Sequence, residues 1–280
     1  MGLTQGSLIY YTFNMPGLGL SLRLGRNRKT SKSISETVIA ALEAKASSEG
    51  YTAFSEDVKD ASLVLVQDLV NAGIWNNLDV FYVFKTDGDS DFATINWIDP
   101  NNFQITKENS PTFTTNDGFA GDGVSASLNT NYSLNSDGVN YTLNSASAGY
   151  FTNTNVAGIR TMGSSGSQLV FTPNVNNSIG YFRINASGPS SITPSSLTHL
   201  GLVVANRSAS NEENLYVDGV SVYSGTTAST GVDNQNLYGL RSATGYANSN
   251  FTIQLMFAGG SMKDKIVDFS NIVNDYMDKL

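Results

Sequence analysis

Cysteine is absent from this 280-residue chain, and histidine occurs once, as His199. Without cysteine, the chain forms neither a disulfide framework nor a thiolate metal site, and folding in a reducing cytoplasm is favoured. Charged residues are also scarce, at 14%, against about 25% in an average soluble domain. The net charge of −8 argues against general nucleic-acid binding.

The chain is instead rich in serine, threonine, asparagine and glycine, above all between Ser110 and Ser249. These residues favour turns and solvated strands over helices. After Asp87, short apolar runs alternate with asparagine and glycine at intervals of about ten residues, as many short strands do. The chain length fits one large sandwich with an appendage better than two full domains. We therefore predict a mainly β fold.

A hairpin is predicted around Asp218-Gly219, because this pair tolerates the positive φ of a tight two-residue turn. The apolar run 198–204, which contains His199, the polar loop 206–214 and the run LYVDG (215–219) come in that order. This order resembles the laminin-G-like and concanavalin A-like lectin sandwiches. The resemblance implies a jelly-roll β-sandwich, which we place at residues 78–280 together with a C-terminal helix.

Two helices are predicted before the sandwich, in a helical segment of residues 33–77. Ser33 and Glu36 form a capping-box pattern, and Ser55 is a good N-cap for the second helix, which ends at Gly73. The C-terminal helix begins near Met262. The apolar faces are Ile34, Val38, Leu42 and Ala46 in the first helix, Val58, Ala61, Leu65, Leu69 and Ala72 in the second, and Ile266, Phe269, Val273, Tyr276 and Leu280 in the last.

Residues 1–32 are predicted to form an N-terminal β-hairpin arm with a basic patch. Leucines alternate with small or polar residues between Leu18 and Leu24, and residues 14–17 (NMPG) are a turn signal. We predict that the arm and its patch anchor the protein in an assembly; an arm folded back on its own sandwich and a solvated charge run are the alternatives. The patch contains five cations and no acid: Arg23, Arg26, Arg28, Lys29 and Lys32.

A second resemblance covers residues 55–280 and leaves the arm out. The runs VNAGIWNNLDVFYVF (70–84), INWIDP (95–100) and SPTFT (110–114) are similar to a lectin-sandwich family of bacteriophage structural proteins, particularly of phages with Bacteroidetes hosts. The resemblance implies a virion component such as a capsid spike, penton, decoration protein or fibre. It would be made in the bacterial cytoplasm and lie at the capsid or tail surface, with other virion proteins and copies of itself as partners.

No catalytic pair is evident in the sequence. A retaining glycosidase on such a fold needs two carboxyl groups about 5–5.5 Å apart. The acidic clusters Glu56–Asp60 and Glu212-Glu213 fall on a predicted helix and in a predicted loop. His199 has no nucleophile elbow beside it. We predict that the protein is not an enzyme; a glycan-binding adhesin or carbohydrate-binding module is the alternative, ahead of a glycoside hydrolase.

Ligand contacts are predicted in three places. The spacing of Asp87, Asp89 and Asp91 matches the start of an EF-hand loop, but Phe92 stands where that loop requires glycine. The sequence is therefore compatible with either a solvated acidic turn or a Ca²⁺-binding loop. No other cofactor is expected. The basic patch can contact lipid or nucleic-acid phosphates. Four tyrosines on asparagine- and glycine-rich runs are candidates for contact with a host-surface glycan, with core or interface positions as the alternative: Tyr132, Tyr150, Tyr238 and Tyr246.

Overall fold

The computed structural model describes residues 32–154, 161–164, 166, 168–175, 179–188, 190–192, 200–241 and 249–280. One compact unit spans Ser33–Leu280. The predicted hairpin arm lies outside the described residues, as do Arg23, Arg26, Arg28 and Lys29 of the basic patch. Lys32 is exposed, directly before the first helix.

The mainly β fold is confirmed: three antiparallel sheets accompany three α-helices in the described residues. None of these helices is long and apolar enough to cross a membrane. The helices are α1 Ile34–Glu49, α2 Glu56–Asn71 and α3 Ile266–Met277. The strands are β1 Leu78–Val83, β2 Thr106–Glu108, β3 Thr112–Thr114, β4 Gly118–Ala120, β5 Ser127–Ser133, β6 Ala146–Thr152, β7 Met162–Ser164, β8 Leu169–Val175, β9 Ile179–Ile184, β10 Ser190–Ile192, β11 Gly201–Ala209, β12 Glu212–Val217, β13 Val220–Gly225, β14 Asn236–Gly239, β15 Thr252–Ile253 and β16 Leu255–Gly259.

Two large sheets form the sandwich. The six-stranded sheet has the order β1-β16-β6-β11-β12-β13, and the seven-stranded sheet has the order β10-β9-β8-β7-β14-β5-β2. Side chains from both sheets, such as Tyr82 and Val203 of the first and Leu128 and Phe182 of the second, share one buried core. A small sheet, β15-β4-β3, adds Phe119 to that core. The seven-stranded sheet therefore turns its other face outward.

The helices lie on the outer face of the six-stranded sheet, where α1 packs on α2. Leu69 of α2 and Phe269 of α3 are fully buried in a second core with Phe81 and Phe257 of the sheet. The capping box of α1 and the Ser55 cap of α2 are confirmed. One detail of α1 differs: Ile34 is 46% exposed, and Ile39 is buried instead, because the helix face that meets α2 is rotated from the predicted stripe.

The predicted Asp-Gly turn joins β12 to β13, with φ of 47° at Asp218 and 77° at Gly219. The Leu202 N–H donates to Asp218 Oδ1 at 2.8 Å, which ties the turn to β11. Glu213, predicted in a loop, lies instead in β12 and is fully buried. Its carboxylate pairs with the Arg207 guanidinium at 3.0 Å, and this pairing stabilises a strand where the polar sequence indicated a loop.

Candidate functional site

Two of the predicted glycan contacts are core residues, so the prediction is wrong for Tyr132 and Tyr150. Both side chains are fully buried, because strand alternation points them between the sheets. The Tyr132 hydroxyl donates to Asp79 Oδ2 at 2.9 Å. The ring of Tyr150 packs edge-on against Phe171, with centroids 5.5 Å apart. Tyr246 lies outside the described residues, and so does His199.

Tyr238 lies on the outer face of the seven-stranded sheet. It follows the core residue Leu237 along β14 and is partly exposed. The Arg241 guanidinium lies 4.6 Å above the centre of the Tyr238 ring, a cation–π arrangement. One Arg241 nitrogen also lies 3.6 Å from Glu108 Oε2. Burial and the nearby Glu108 carboxylate raise the pKa of the Tyr238 hydroxyl, which therefore stays a donor at neutral pH.

Glu108 is a functional candidate that the sequence reasoning missed. It belongs to β2, the edge strand of the seven-stranded sheet, and accepts hydrogen bonds from Ser127 Oγ and Asn129 Nδ2, both at 3.0 Å. Asn236 Nδ2 donates to Asn129 Oδ1 at 3.0 Å. We name this group, with Tyr238 and Arg241, the outer-face patch. β2 has only three residues, and no period-two pattern marks so short a strand.

The acidic run Asp87–Asp91 does not gather into a metal site. Within the described ranges, no group of three or more histidine, cysteine, aspartate or glutamate side chains is placed to hold an ion. Asp89 instead accepts backbone N–H bonds from Thr52 at 2.5 Å and Phe92 at 2.8 Å. Burial alone would raise its pKa, but the backbone donors outweigh burial and lower it. Asp91 pairs with Lys107 at 2.8 Å.

A cleft of about 760 Å³ opens beside this acidic run, within the range of roughly 300–1,000 Å³ that small-ligand sites occupy. Three segments form its walls: the chain before α2, the run from Asp87 to Ser90, and the stretch from β2 through β3. Lys107 joins two of these walls, because its ammonium donates to Ser90 Oγ at 2.9 Å as well as to Asp91. The lining residues are Thr52, Asp87, Gly88, Asp89, Ser90, Lys107, Ser110, Pro111, Phe113 and Thr115.

The cleft offers groups with unused hydrogen-bonding capacity. The Ser55 N–H donates to Asp87 Oδ1 at 3.0 Å, which leaves Asp87 Oδ2 as an acceptor. An ammonium has three N–H donors, so Lys107 keeps one beyond its two bonds. The partly exposed ring of Phe113 is braced by Phe119, at a centroid distance of 5.0 Å. An acceptor, a donor and a ring thus surround one space.

Comparison with protein-family models and with curated proteins finds no match for this chain. Among solved structures, it is similar to a mutant Trypanosoma rangeli sialidase with trans-sialidase activity, with a TM-score of 0.53 and 13% identity over 86% of this chain and 39% of that one. Domain 4 of AbnA, a GH43 arabinanase from Geobacillus stearothermophilus in complex with arabinotriose, matches with a TM-score of 0.42 and 11% identity over 69% of this chain and 98% of that one. At these identities, the first likeness shows a shared fold alone.

The same comparison contradicts the prediction that the protein is not an enzyme. The mutant sialidase whose fold this chain shares has trans-sialidase activity, so a sandwich of this kind gives no ground for excluding catalysis. The chain spans about two fifths of the sialidase chain, at 39%.

Proposed function

We propose that this chain is a bacteriophage virion structural protein that is anchored by residues 1–32 and displays the lectin-like sandwich of residues 78–280. The observation that carries the proposal is that one compact unit begins at Ser33, directly after a segment whose sequence holds five cations and no acid. The unit that follows contains the sheets, the helices and both buried cores. It therefore has what it needs to fold without the arm, and the arm is left for attachment.

The charge distribution supports the anchoring role. The whole chain carries −8, and residues 1–32 hold five cations and no acid, so residues 33–280 carry −13. So strong a separation lets the basic patch bind an acidic protein surface or phosphate groups while the sandwich repels such surfaces. Each cation near an anionic surface contributes about 1 kcal/mol. The patch therefore adds to an anchor that the apolar part of the arm also forms.

Deletion of residues 1–32 tests the anchoring role. We expect the shortened protein to keep the circular dichroism spectrum of the full chain and to lose incorporation into particles. A second variant, with serine at the five basic positions, separates the patch from the rest of the arm. Native mass spectrometry of the full chain and the deletion then gives the oligomeric state of each. Normal incorporation of the deletion variant would refute the anchoring role.

The second candidate function is glycan binding by the sandwich, as an adhesin or carbohydrate-binding module or as the host-attachment part of a virion protein. The outer-face patch favours it, because an aromatic ring, a guanidinium, a carboxylate and amides lie together on one open sheet face. A glycan array probed with the full chain tests it. Saturable binding of at least one glycan is the expected result, and absence of binding to every glycan refutes it.

A further inference from the structure

We propose that the cleft beside β2 is a saccharide site that takes neutral sugars and rejects sialylated ones. The inference rests on the glycan binding proposed above and goes further, because it assigns the contact to the cleft and names the class of sugar. The cleft lies off the edge of the seven-stranded sheet, next to β2, whose Glu108 belongs to the outer-face patch. The two sites share the strand but use different side chains.

The polar lining of the cleft matches hydroxyl groups. Asp87 Oδ2 accepts one hydrogen bond from a ligand, and the third N–H of Lys107 donates one. A sugar hydroxyl both donates and accepts, so adjacent hydroxyls on one ring satisfy both protein groups. Ser90, Ser110 and Thr115 add further hydroxyls to the lining. The site therefore suits a ligand with many hydroxyl groups better than an apolar one.

Phe113 supplies the apolar contact that such a site needs. Its ring is partly exposed on β3 and rests on Phe119, which is fully buried. Because Phe119 fixes the ring from behind, Phe113 loses little freedom when a ligand covers it. The C–H face of a pyranose ring buries apolar area against an aromatic face, while its hydroxyls point to the polar walls.

The fixed charges decide between neutral and acidic sugars. Asp87 and Asp89 line the cleft, and the Lys107 ammonium is already paired with Asp91. The four side chains together carry a net charge of −2. The backbone donors that hold Asp89 lower its pKa, so this carboxylate stays ionised at neutral pH. A sialic acid carboxylate would enter a lining of net negative charge, at a cost that corresponds to at least about a tenfold loss of affinity.

The test uses the full chain and titrates it calorimetrically with lactose, maltotriose, cellotriose, arabinotriose and sialyllactose. We expect at least one neutral sugar to bind saturably, and sialyllactose to bind at least about tenfold more weakly than that sugar. Asp87→Asn keeps an oxygen for the Ser55 N–H but removes the charge, and we expect it to weaken binding about tenfold. Thr115→Arg places a long side chain at the cleft from an exposed position and should abolish binding.

A matched control comes from the same part of the chain. Thr114 is exposed on β3 and does not line the cleft, so Thr114→Arg makes the same chemical change and should leave binding unaltered. Circular dichroism and a thermal melt show whether each variant is folded. Because Thr115 and Thr114 are both exposed, neither substitution disturbs a core, and the comparison stays valid if Asp87→Asn weakens the fold.

Three outcomes would overturn the cleft assignment. If sialyllactose binds more tightly than every neutral sugar, the charge argument is wrong. If Tyr238→Ala abolishes sugar binding while the cleft variants bind normally, glycan binding stands and its site is the outer-face patch. If no sugar binds, both the cleft assignment and the glycan proposal fail. The virion role is tested separately, by whether the variant that lacks residues 1–32 is incorporated into particles.

Discussion

Breaking the ion pair between Arg207 and Glu213 should strongly destabilise the fold, because both side chains are fully buried and the partner left behind would keep an uncompensated charge. Arg207 Nη2 donates to Glu213 Oε2 at 3.0 Å, and Nε donates to the Ile184 carbonyl at 2.8 Å. Ile184 belongs to the seven-stranded sheet and Arg207 to the six-stranded sheet. The guanidinium therefore joins the two layers of the sandwich, and Nη1 binds further carbonyls, those of Ala209, Ser210 and Thr227.

Glu213→Gln removes the negative charge and keeps the size of the side chain. The Arg207 guanidinium would then remain buried without its counter-ion, which costs about 3–5 kcal/mol. For a domain of this size, that loss corresponds to a fall in Tm of about 6–20 °C. Thermal and urea unfolding followed by circular dichroism measures it. The matched control is Glu49→Gln, which breaks the exposed Lys45–Glu49 pair and should change stability by less than about 0.5 kcal/mol.

A double-mutant cycle with Arg207→Met and Glu213→Leu isolates the pair itself. Because each single substitution leaves one partner buried alone, the double variant should be less destabilised than the sum of the two, by at least about 1 kcal/mol. Additive effects within about 0.5 kcal/mol would show that the charges do not interact. A loss below about 1 kcal/mol in Glu213→Gln would contradict the reasoning directly.

Two further predictions concern aspartates. The Asp79 carboxylate accepts hydrogen bonds from the backbone N–H groups of Asn140 and Tyr141 and from the Tyr132 hydroxyl. Asp79→Ala should therefore lower the free energy of unfolding by about 2–4 kcal/mol. A loss under about 1 kcal/mol, measured by urea unfolding, would contradict this. The pKa of Asp89 is lower in the folded protein than its ordinary value, so its contribution is fully present above about pH 4 and is lost as pH falls below that. Asp89→Asn should flatten the stability profile in that acid range, and an unchanged profile would refute the assignment.

Local signals in the sequence predicted the local structure well. Ser33 and Glu36 cap α1, Ser55 caps α2, and Asp218-Gly219 turns between β12 and β13. Each of these features depends on side chains or dihedral angles within a few neighbouring residues, so a short stretch of sequence is enough to predict it. The alternation of strands and turns indicated the β-sandwich for the same reason.

The tyrosines show what local signals leave out. Tyr132 and Tyr150 lie in polar runs like the one around Tyr238, yet the first two are buried and the third faces outward. Which face of a strand meets the opposite sheet depends on register and on what covers that face. Strand register and the covering of a sheet face both depend on segments far apart in the chain, so the residues next to a tyrosine do not predict its burial.

The amino-acid sequence was enough to predict the fold class, the helix caps, the Asp-Gly hairpin and the contrast between the basic residues 1–32 and the acidic remainder. Three features became visible only in the folded chain: the buried pair of Arg207 and Glu213, the meeting of Glu108 and Arg241 beside Tyr238, and the cleft between Asp87 and Phe113. The difference lies in the range of the interactions. Caps and turns are made by neighbours in the chain, whereas a site is made by distant segments that meet only when the sheets pack.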